Sequence, residues 1–467
     1  MIIMKFGGSS VKDAAALERV AGIIRSRRDD APVVVVSAIG DSTDRLTQIL
    51  DLLERGRKAQ ARATAKSLSA NYDSIARKII PKGEILSELR GTIQSHFARM
   101  DELIEGMACL GEVSPRSRDA VLSVGEIASS SMLAAYCRSV DIPAEAIDPT
   151  KLILTDARYT EATPDPAGTK SRCEQFLSPV VARMAIPVVG GFVGADERGV
   201  TTTLGRGGSD LTASILAGAM NASALEYWKD VDGILNADPR IVPKAKPVPC
   251  ITFREAAELA TLGAKILHPA SIQPAILANV PVRILNSNEP LSGGTTITSA
   301  AEPDHDSHDR FYPAVSSITF KRAQTMINIY STRMLGTSGF LRRVFEVFDR
   351  LGISVDHIAT SEVNVTVTVG RTDALEALRL ELGEIASVSV DDNVGVVSLV
   401  GEKLPATPGV AARIFSALTG INVSLITYGG SGVNLSVVVG NDNVDTAVRR
   451  LHKELFETSE DEDHDDV

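Results

Sequence analysis

The chain has few cysteines, and their spacing argues against a disulfide framework or a metal site. The 467 residues include four cysteines without CxxC or Cys/His spacing: Cys109, Cys137, Cys173 and Cys250. Thiols scattered in this way are typical of buried residues in a reducing compartment. We therefore predict free thiols, no protein-bound metal and a cytoplasmic location.

An excess of positive charge and long apolar runs are missing too. The chain carries 48 Lys and Arg against 59 Asp and Glu, a formal net charge of -11, which disfavours a general attraction to nucleic acid or anionic membranes. Its first residues, MIIMKFGGSS, lack the apolar core of a signal peptide. No run approaches the roughly 18 apolar residues of a membrane-spanning helix. We expect neither nucleic acid nor a membrane as partner, while a local basic pocket for a phosphate ligand stays compatible.

Two common nucleotide-binding motifs are also absent. The chain has no GxxxxGK[ST] sequence, and no GxGxxG opens a strand-helix-strand unit. The nearest lookalike, GGSGVN at 429–434, fits a hairpin turn. These absences exclude a Walker loop and leave NAD binding unsupported.

What is present up to about residue 300 is an alternation of short apolar runs with longer helical stretches. The predicted strands are MIIMKFGG, APVVVVSAIG, AIPVVGGFVG, SALEYWKDV and VPVRILN. Runs such as VVVV are typical of strands buried on both faces. We predict that residues 1–300 form an α/β domain, a mostly parallel sheet with helices on both faces. Ligands bind such sheets at the carboxyl ends of the strands.

After residue 300 the pattern changes. A polar stretch at 300–310 is a predicted linker, and two units of similar length follow it. Each has the order βαββαβ, with the matched phrases LGISVDHIAT and LTGINVSLITY. The second copy lacks its final strand, so we predict that a strand within 313–323 completes it. The predicted bounds are 324–391 and 392–457, followed by a disordered acidic tail at 458–467.

Two turns near the N-terminus carry polar groups after predicted strands. In KFGGSS, Lys5 and the backbone N–H groups of a strand-to-helix turn suit a phosphate, although a tight turn alone also explains the glycines. In VVVVSAIGDSTD, Ser42, Thr43 and Asp44 either face a ligand or simply cap a helix.

Two further turns carry charge. In SVGEIASS we place Glu126 at a helix beginning, where a buried carboxylate would suit a substrate ammonium group and an exposed one would need no ligand. In GRGGSD, at 205–210, the glycines allow close approach of a ligand and Arg206 offers a planar fork for a carboxylate, while Ser209 and Asp210 begin a helix. A surface turn is the alternative, but it requires neither Arg206 nor the polar run TTT before it.

The stretch EYWKDVDGILNADPRIVP, at 226–243, holds more charge than a loop needs for solubility. Its charged members include Lys229, Asp230, Asp232, Asp238 and Arg240. Further on, LGAKILHPAS places Lys265 and His268 at a helix end, where His268 is better explained as a cap or core residue than as a catalyst.

Taken together and in this order, these stretches resemble aspartate kinases of the amino-acid kinase family. KFGGSSV is similar to that family's KFGGTSV, with Ser9 in place of threonine, and TTTLGRGGSD, WKDVDGI, ADPRIVP and LGAKILHP match nearly letter for letter. The resemblance spans nearly the whole chain, because the family's C-terminal half carries paired βαββαβ modules called ACT domains. Lys229 is familiar in plant-like and lysine-sensitive monofunctional members. Leu235 replaces an adenine-proximal tyrosine of some members, which leaves contacts to the base open.

The resemblance implies that ATP and L-aspartate give ADP and 4-phospho-L-aspartate with Mg²⁺. It implies a catalytic pair, Lys5 and Asp210. It implies substrate-binding residues, Thr43, Glu126, Arg206 and Ser209. It implies nucleotide-binding residues, Gly7, Gly8, Ser9, Lys229, Asp230, Arg240 and Lys265.

The resemblance also implies feedback regulation by an amino acid bound at the repeats, lysine or threonine or both. In the first repeat, STRMLGTSGFL and SVDHIATSEV are similar to the effector pocket of lysine-inhibited aspartate kinases. The matching effector residues are Met334, Thr337, Gly339, Phe340, Leu341, Asp356, Thr360, Ser361 and Glu362. Asp356 would accept the effector's ammonium group. The alternative is that the repeats only form a homodimer or homotetramer.

Three other functions remain to be weighed. A related kinase for glutamate, carbamate or a nucleotide is disfavoured by the paired ACT modules and the DPRIVP segment. A non-catalytic amino-acid sensor is disfavoured by Lys5, Arg206, Asp210 and Lys229. A fusion with homoserine dehydrogenase is not expected, because the chain ends in the acidic tail. The pathway that uses the product, whether to lysine, threonine, methionine or ectoine, is not encoded in these motifs.

Overall fold

The computed structural model describes residues 1–263, 269–299 and 314–457. It divides into two compact units, Met1–Ile234 with Leu267–Ser299, and Leu235–Ile266 with Ala300–Val467. The predicted linker, the predicted acidic tail, Lys265 and His268 lie outside the described residues.

The bounds of the regular elements, in chain order, are as follows. The strands are β1 (Ile2–Phe6), β2 (Val33–Val36), β3 (Ala144–Ile147), β4 (Ile186–Gly190), β5 (Val193–Ala195), β6 (Thr201–Thr203), β7 (Ala224–Lys229), β8 (Cys250–Thr252), β9 (Val282–Asn286), β10 (Thr295–Thr298), β11 (Ser317–Tyr330), β12 (Val355–Thr360), β13 (Asn364–Val369), β14 (Ser387–Val400), β15 (Val423–Tyr428) and β16 (Asn434–Gly440). The α-helices are α1 (Ala14–Ser26), α2 (Ser42–Glu54), α3 (Lys58–Ile79), α4 (Glu84–Leu110), α5 (Pro115–Ser139), α6 (Pro166–Phe176), α7 (Ser178–Ala182), α8 (Gly208–Ala219), α9 (Phe253–Thr261), α10 (Pro269–Leu277), α11 (Phe340–Arg350), α12 (Leu375–Gly383), α13 (Val410–Ala417) and α14 (Val444–Phe456).

The first unit is built on a mostly parallel sheet, as the sequence predicts. Its strands lie in the order β3-β4-β2-β1-β7-β9-β10. All neighbours pair in parallel except β9 and β10. Every residue of β1 and β2 is buried, which explains their unbroken apolar sequence. Because these strands are parallel, the turns that follow them meet at one edge of the sheet.

Helices cover both faces of this sheet. Ile2, Met4 and Phe6 of β1 belong to a core shared with α1 to α5. Ile3 and Lys5 point to the opposite face, because side chains alternate along a strand. Helix α8 contacts β1, β2 and β7 and supplies the partner of Lys5, which places α8 on that second face.

Helix α5 is the most deeply buried of the long helices. It is the one helix among the described residues that is long and apolar enough to cross a membrane, and 83% of its apolar window is buried inside the protein. This burial is that of a core helix. Polar residues such as Ser123, Glu126 and Ser129 interrupt its apolar sequence, so it contains no uninterrupted run of about 18 apolar residues.

The second unit contains one antiparallel sheet in the order β12-β13-β11-β14-β16-β15. Helices α11 and α12 pack on the strands of the first predicted copy, around Phe340, Val344 and Leu378. Helices α13 and α14 pack on those of the second, around Ile414, Val437 and Leu451. Two βαββαβ copies therefore form one sheet, consistent with the ACT architecture.

The two copies share their longest strands. Residues predicted as separate strands, AVSSITF and TMINIYST, form the single strand β11, and SVSVDD and GVVSLVG form β14. The first half of β11 pairs with the end of β14, Ser317 opposite Val400, and its second half pairs with the start, Tyr330 opposite Ser387. A bulge between Lys321 and Met326 separates the halves. The predicted boundary at 391/392 thus falls inside a continuous strand.

The predicted domain bounds differ from the observed units in one segment. Residues Leu235–Ile266, which we assigned to the first domain, belong to the second unit, whereas Leu267–Ser299 belong to the first. Ala237, Ile241 and Val242 lie in the core beneath α14. Arg449 donates from Nε to the carbonyl of Ile241 at 3.2 Å. The apolar residues of ADPRIVP explain this packing, which the local charge pattern does not reveal.

Candidate active site

Three charged side chains meet at the carboxyl edge of the first unit's sheet. Lys5 on β1 lies opposite Tyr227 on β7, and Lys229 ends β7. Asp210 in the first turn of α8 lies between the two lysines. Its carboxylate is 2.5 Å from Lys5 Nζ and 3.3 Å from Lys229 Nζ. The exposed fraction of the side chain is only 9% for Lys5, 20% for Lys229 and 13% for Asp210.

The electrostatics of this cluster leave an excess positive charge. Burial raises the pKa of Asp210, but the charges of Lys5 and Lys229 outweigh it and leave the pKa below its usual value. Burial also lowers the pKa of Lys229, opposed by Asp210 and reinforced by Lys5. Two cations around one ionised carboxylate attract an anion, and a phosphate is the anion that such a site suits.

The glycine turn after β1 lies beside these lysines. The chain passes from Phe6 through Gly7 and Gly8 into a short 3₁₀ turn, Ser9–Val11, before α1 begins. A Cβ on Gly8 would lie 3.0 Å from the carbonyl oxygen of Ala38, so only glycine fits this close crossing of two turns. Ser9 is exposed. The turn thus offers the backbone of Gly7 and Gly8 and the exposed side chain of Ser9.

Glu126 lies in the middle of α5, which corrects our placement at a helix beginning and excludes the exposed alternative. It is 3% exposed, and its Oε2 has no hydrogen-bond partner in the described part of the chain. Burial raises the pKa of Glu126 to about 8, opposed by the N–H of Ala38 and the charge of Lys5. A buried carboxylate oxygen without a partner is unfavourable, and a cationic group would compensate it.

A pair of glycines that we had not singled out brings Glu126 and Ser209 together. At the end of β4, a Cβ on Gly190 would lie 2.9 Å from the backbone of Glu126. A Cβ on Gly191 would lie 2.6 Å from Cβ of Ser209. The signal in the sequence was GG directly after a buried strand, where close approach of another backbone is common.

Arg206 and Thr43 lie on exposed turns. Arg206 stands between Gly205 and Gly207, whose φ angles are +72° and +73°. Its guanidinium has no ion pair or hydrogen bond with another described residue. Thr43 lies in the first turn of α2, where the capping position is Asp41 and no side chain caps the helix. Capping therefore does not explain the residues Ser42 to Asp44.

Of the remaining predicted nucleotide residues, the structure describes Asp230 and Arg240. Asp230 follows β7 and is exposed. Arg240 belongs to the second unit, where its guanidinium binds Asp238, with Nη2 2.6 Å from Oδ2. Lys265 lies outside the described residues.

The predicted effector residues fall into two groups. A pocket of about 520 Å³ in the second unit is lined by Met334, Leu335, Gly336, Thr337, Gly339, Phe340, Leu341 and Glu362. Asp356, Thr360 and Ser361 are not among its lining residues. Asp356 lies on β12 and is paired with Lys321, Nζ to Oδ1 at 3.1 Å. The structure therefore brings six of the nine predicted residues together.

Comparison with known proteins agrees with this geometry. The model of the amino acid kinase family matches residues 1–286, and that of the ACT domain matches 327–380 and 397–455. Aspartokinase 3, chloroplastic, of Arabidopsis thaliana is 38% identical over 98% of this chain and 82% of its own. Lysine-sensitive aspartokinase 3 of Escherichia coli is 35% identical over 98% of this chain and 99% of its own.

Solved structures give the same result. Escherichia coli aspartokinase III in complex with aspartate and ADP has a TM-score of 0.78 at 34% identity, covering 98% of this chain and 100% of that one. The same enzyme with lysine and aspartate has a TM-score of 0.80 at 34% identity and the same coverage. The chain therefore belongs to the amino acid kinase family, in its aspartokinase branch with paired ACT domains.

Proposed function

We propose that the protein is an aspartate kinase, which transfers the terminal phosphoryl group of ATP to the side-chain carboxylate of L-aspartate. The observation that carries this proposal is the buried cluster of Lys5, Asp210 and Lys229 together with the buried Glu126, whose Oε2 has no hydrogen-bond partner among the described residues. The two lysines suit a phosphate, and Glu126 suits an ammonium group. The product, 4-phospho-L-aspartate, is an acyl phosphate, the first intermediate of aspartate-family amino-acid biosynthesis, including that of lysine and threonine.

The chemistry requires positioning and charge neutralisation. A carboxylate oxygen of aspartate attacks the terminal phosphorus, the bond to the bridging oxygen breaks, and ADP leaves with the electron pair. The attacking carboxylate is already ionised at neutral pH, since its usual pKa is about 3.9. No general base is therefore needed. Lys5 neutralises the transferring group, and Asp210 holds Lys5 and Lys229 in place.

Aspartate is bound by residues from three turns and from α5. Arg206 forms a bidentate pair with the α-carboxylate, and its lack of a protein partner leaves the fork available. Glu126 accepts the α-ammonium group. Ser209 and Thr43 supply hydroxyl groups.

ATP is bound at the cluster and by turns around it. The backbone of Gly7 and Gly8, together with Ser9, lies against the phosphates, with Lys229 as their cation. The further nucleotide residues that the family resemblance supplies are Asp230, Arg240 and Lys265.

Magnesium is expected to arrive with the nucleotide. No group of three or more metal-ligating side chains lies among the described residues. Mg²⁺ is commonly held by substrate phosphates, water and one or two carboxylates. Asp210 is the carboxylate at the cluster, and its two lysine partners favour phosphate and water as the main ligands. The ion would supply charge neutralisation on the phosphates.

The second unit is proposed to bind a feedback inhibitor. The 520 Å³ pocket has room for an amino acid, and Glu362 gives it a negative charge. Lysine is the proposed effector, since a lysine complex is described for the Escherichia coli relative, with threonine as an alternative. Glu362 would bind the effector's ammonium group in this pocket, whereas Asp356 would do so only by exchanging its ion pair with Lys321 for one with the effector. A homodimer or homotetramer would form through the ACT modules. A cytoplasmic location fits the four free cysteines.

The test is aspartate-dependent ADP release with Mg²⁺ and ATP, run with lysine and threonine separately and together. Turnover with aspartate but not with glutamate supports the proposal, and the inhibition pattern identifies the effector. Absence of turnover from well-folded protein contradicts it and favours an amino-acid sensor.

A further inference from the structure

A second buried carboxylate in α5, that of Asp119, lies close to the turn GRGGSD at 205–210, which carries Arg206. Asp119 is fully buried. Its Oδ1 accepts hydrogen bonds from Thr203 Oγ1 at 2.7 Å and Thr160 N at 3.1 Å. Its Oδ2 accepts from Thr160 N at 2.9 Å and Thr203 N at 3.1 Å. An ionised carboxylate can only accept hydrogen bonds, and each of the bonds just described comes from an N–H or O–H donor.

These donors belong to the two segments that lead into GRGGSD. Thr203 ends β6, three residues before Arg206. Thr160, with φ +75°, lies in a segment that supports Gly205: a Cβ on Gly205 would lie 3.4 Å from the carbonyl oxygen of Thr160. The N–H of Ala162 also donates to the carbonyl of Thr203 at 2.9 Å. Asp119 therefore joins both segments at the start of the turn.

The other end of the turn is held separately. Gly208 begins α8 so close to Phe192 that a Cβ would lie 2.6 Å from its ring. Arg206 itself has no described partner, so its position depends on these two anchored ends. One anchor is apolar packing at Phe192, and the other is the hydrogen-bonded carboxylate of Asp119.

We propose that Asp119 is a positioning residue for Arg206. Asp119 orients the guanidinium toward the substrate's α-carboxylate and does not itself contact the substrate. This inference rests on the proposed function, in which Arg206 binds aspartate. It also explains the polar run TTT before the turn, because Thr203 donates hydrogen bonds to Asp119 and Thr202 Oγ1 lies 2.7 Å from Thr155 Oγ1.

The test variant is Asp119→Asn. Its amide NH₂ would face N–H donors, so the start of the turn would shift. We expect kcat/KM for aspartate to fall about tenfold through KM, with kcat and KM for ATP within about twofold of wild type. If the variant does not fold, Thr203→Val removes one donor and is expected to act in the same direction with a smaller effect.

A double-mutant cycle with Arg206→Ala distinguishes positioning from general damage. If Asp119 acts through Arg206, Asp119→Asn has little further effect on kcat/KM for aspartate in the Arg206→Ala background. Glu226→Gln is the matched control: Glu226 is 1% exposed and accepts from Trp228 Nε1 at 3.1 Å, away from the turn. It is expected to lower Tm while KM for aspartate stays unchanged.

Three results overturn the inference. The first is full additivity of Asp119→Asn and Arg206→Ala, and the second is an equal change in KM for aspartate and ATP. The third is an unchanged KM for aspartate in both Asp119→Asn and Thr203→Val. These outcomes require an active wild-type enzyme. Lack of aspartate-dependent turnover in wild type would instead refute the proposed function on which the inference rests.

Discussion

We expect the buried carboxylate of Glu126, whose Oε2 has no hydrogen-bond partner among the described residues, to make aspartate binding depend on pH. Its pKa in the free protein is raised by burial to about 8. At pH 7 only about one molecule in eleven then carries the ionised form that attracts an ammonium group. With ATP saturating, kcat/KM for aspartate is therefore expected to rise about tenfold per pH unit below pH 8 and to level off above it.

Glu126→Gln removes the titrating group while keeping its shape. A hydrogen bond to a charged partner contributes about 1.5–3 kcal/mol, so at about pH 8.5 the variant's kcat/KM should be roughly 10- to 150-fold below wild type. At about pH 6 the two enzymes should nearly converge, because Glu126 is then protonated in wild type. The assay is initial-rate ADP release at subsaturating aspartate. A wild-type profile that is flat from pH 6 to pH 8, or a Gln variant that keeps the full slope, would refute this reasoning.

The same group predicts how stability changes with pH. The folded-state pKa of about 8 exceeds the usual 4.5, so the folded state binds the proton more tightly and loses stability as pH rises through that window. Glu126→Gln removes this loss. Its Tm relative to wild type should therefore increase from about pH 5 to pH 9. A Tm difference that is constant with pH would contradict the raised pKa.

Three further substitutions test the other assignments. Lys5→Ala should lower kcat by about 100-fold or more with modest change in KM for aspartate, since it removes the charge nearest Asp210; full activity would remove Lys5 from the phosphate site. Arg206→Ala should raise KM for aspartate about tenfold or more, while Tm stays within a degree or two because the side chain is exposed and unpartnered; an unchanged KM would leave the turn as a mere surface feature. Asp356→Ala should raise the lysine concentration for half-inhibition about tenfold, with the uninhibited rate near wild type; unchanged inhibition would remove Asp356 from the effector site.

The sequence predicted the parts of the active site that follow from local patterns. Apolar runs identified the parallel strands, and glycines after them identified the turns. Because parallel strands end at one edge, the turns were expected to meet there, and the family resemblance paired Lys5 with Asp210. The structure places Lys5, Asp210 and Lys229 together.

Other features depend on contacts between distant residues. Asp119 follows the first helical residues of α5, where an acidic residue is usually explained by the helix dipole, and nothing local reveals its bonds to Thr160 and Thr203. The sequence analysis placed Glu126, next to Gly125, at a helix beginning. In fact a Cβ on Gly125 would lie 2.9 Å from Ala38, so this glycine serves close packing inside the helix. Likewise, the sequence analysis considered the charged residues of ADPRIVP, whereas its apolar residues pack beneath α14.

The shared strands β11 and β14 have a consequence for protein engineering. Each of these 14-residue strands contributes one half to each ACT module, so neither module has a complete set of strands if the chain is cut between them. A chimera that transplants one module alone would leave two half-strands with unpaired edges, which favour aggregation. The smallest unit that can be exchanged between relatives, in the laboratory or by recombination of genes, is therefore the pair.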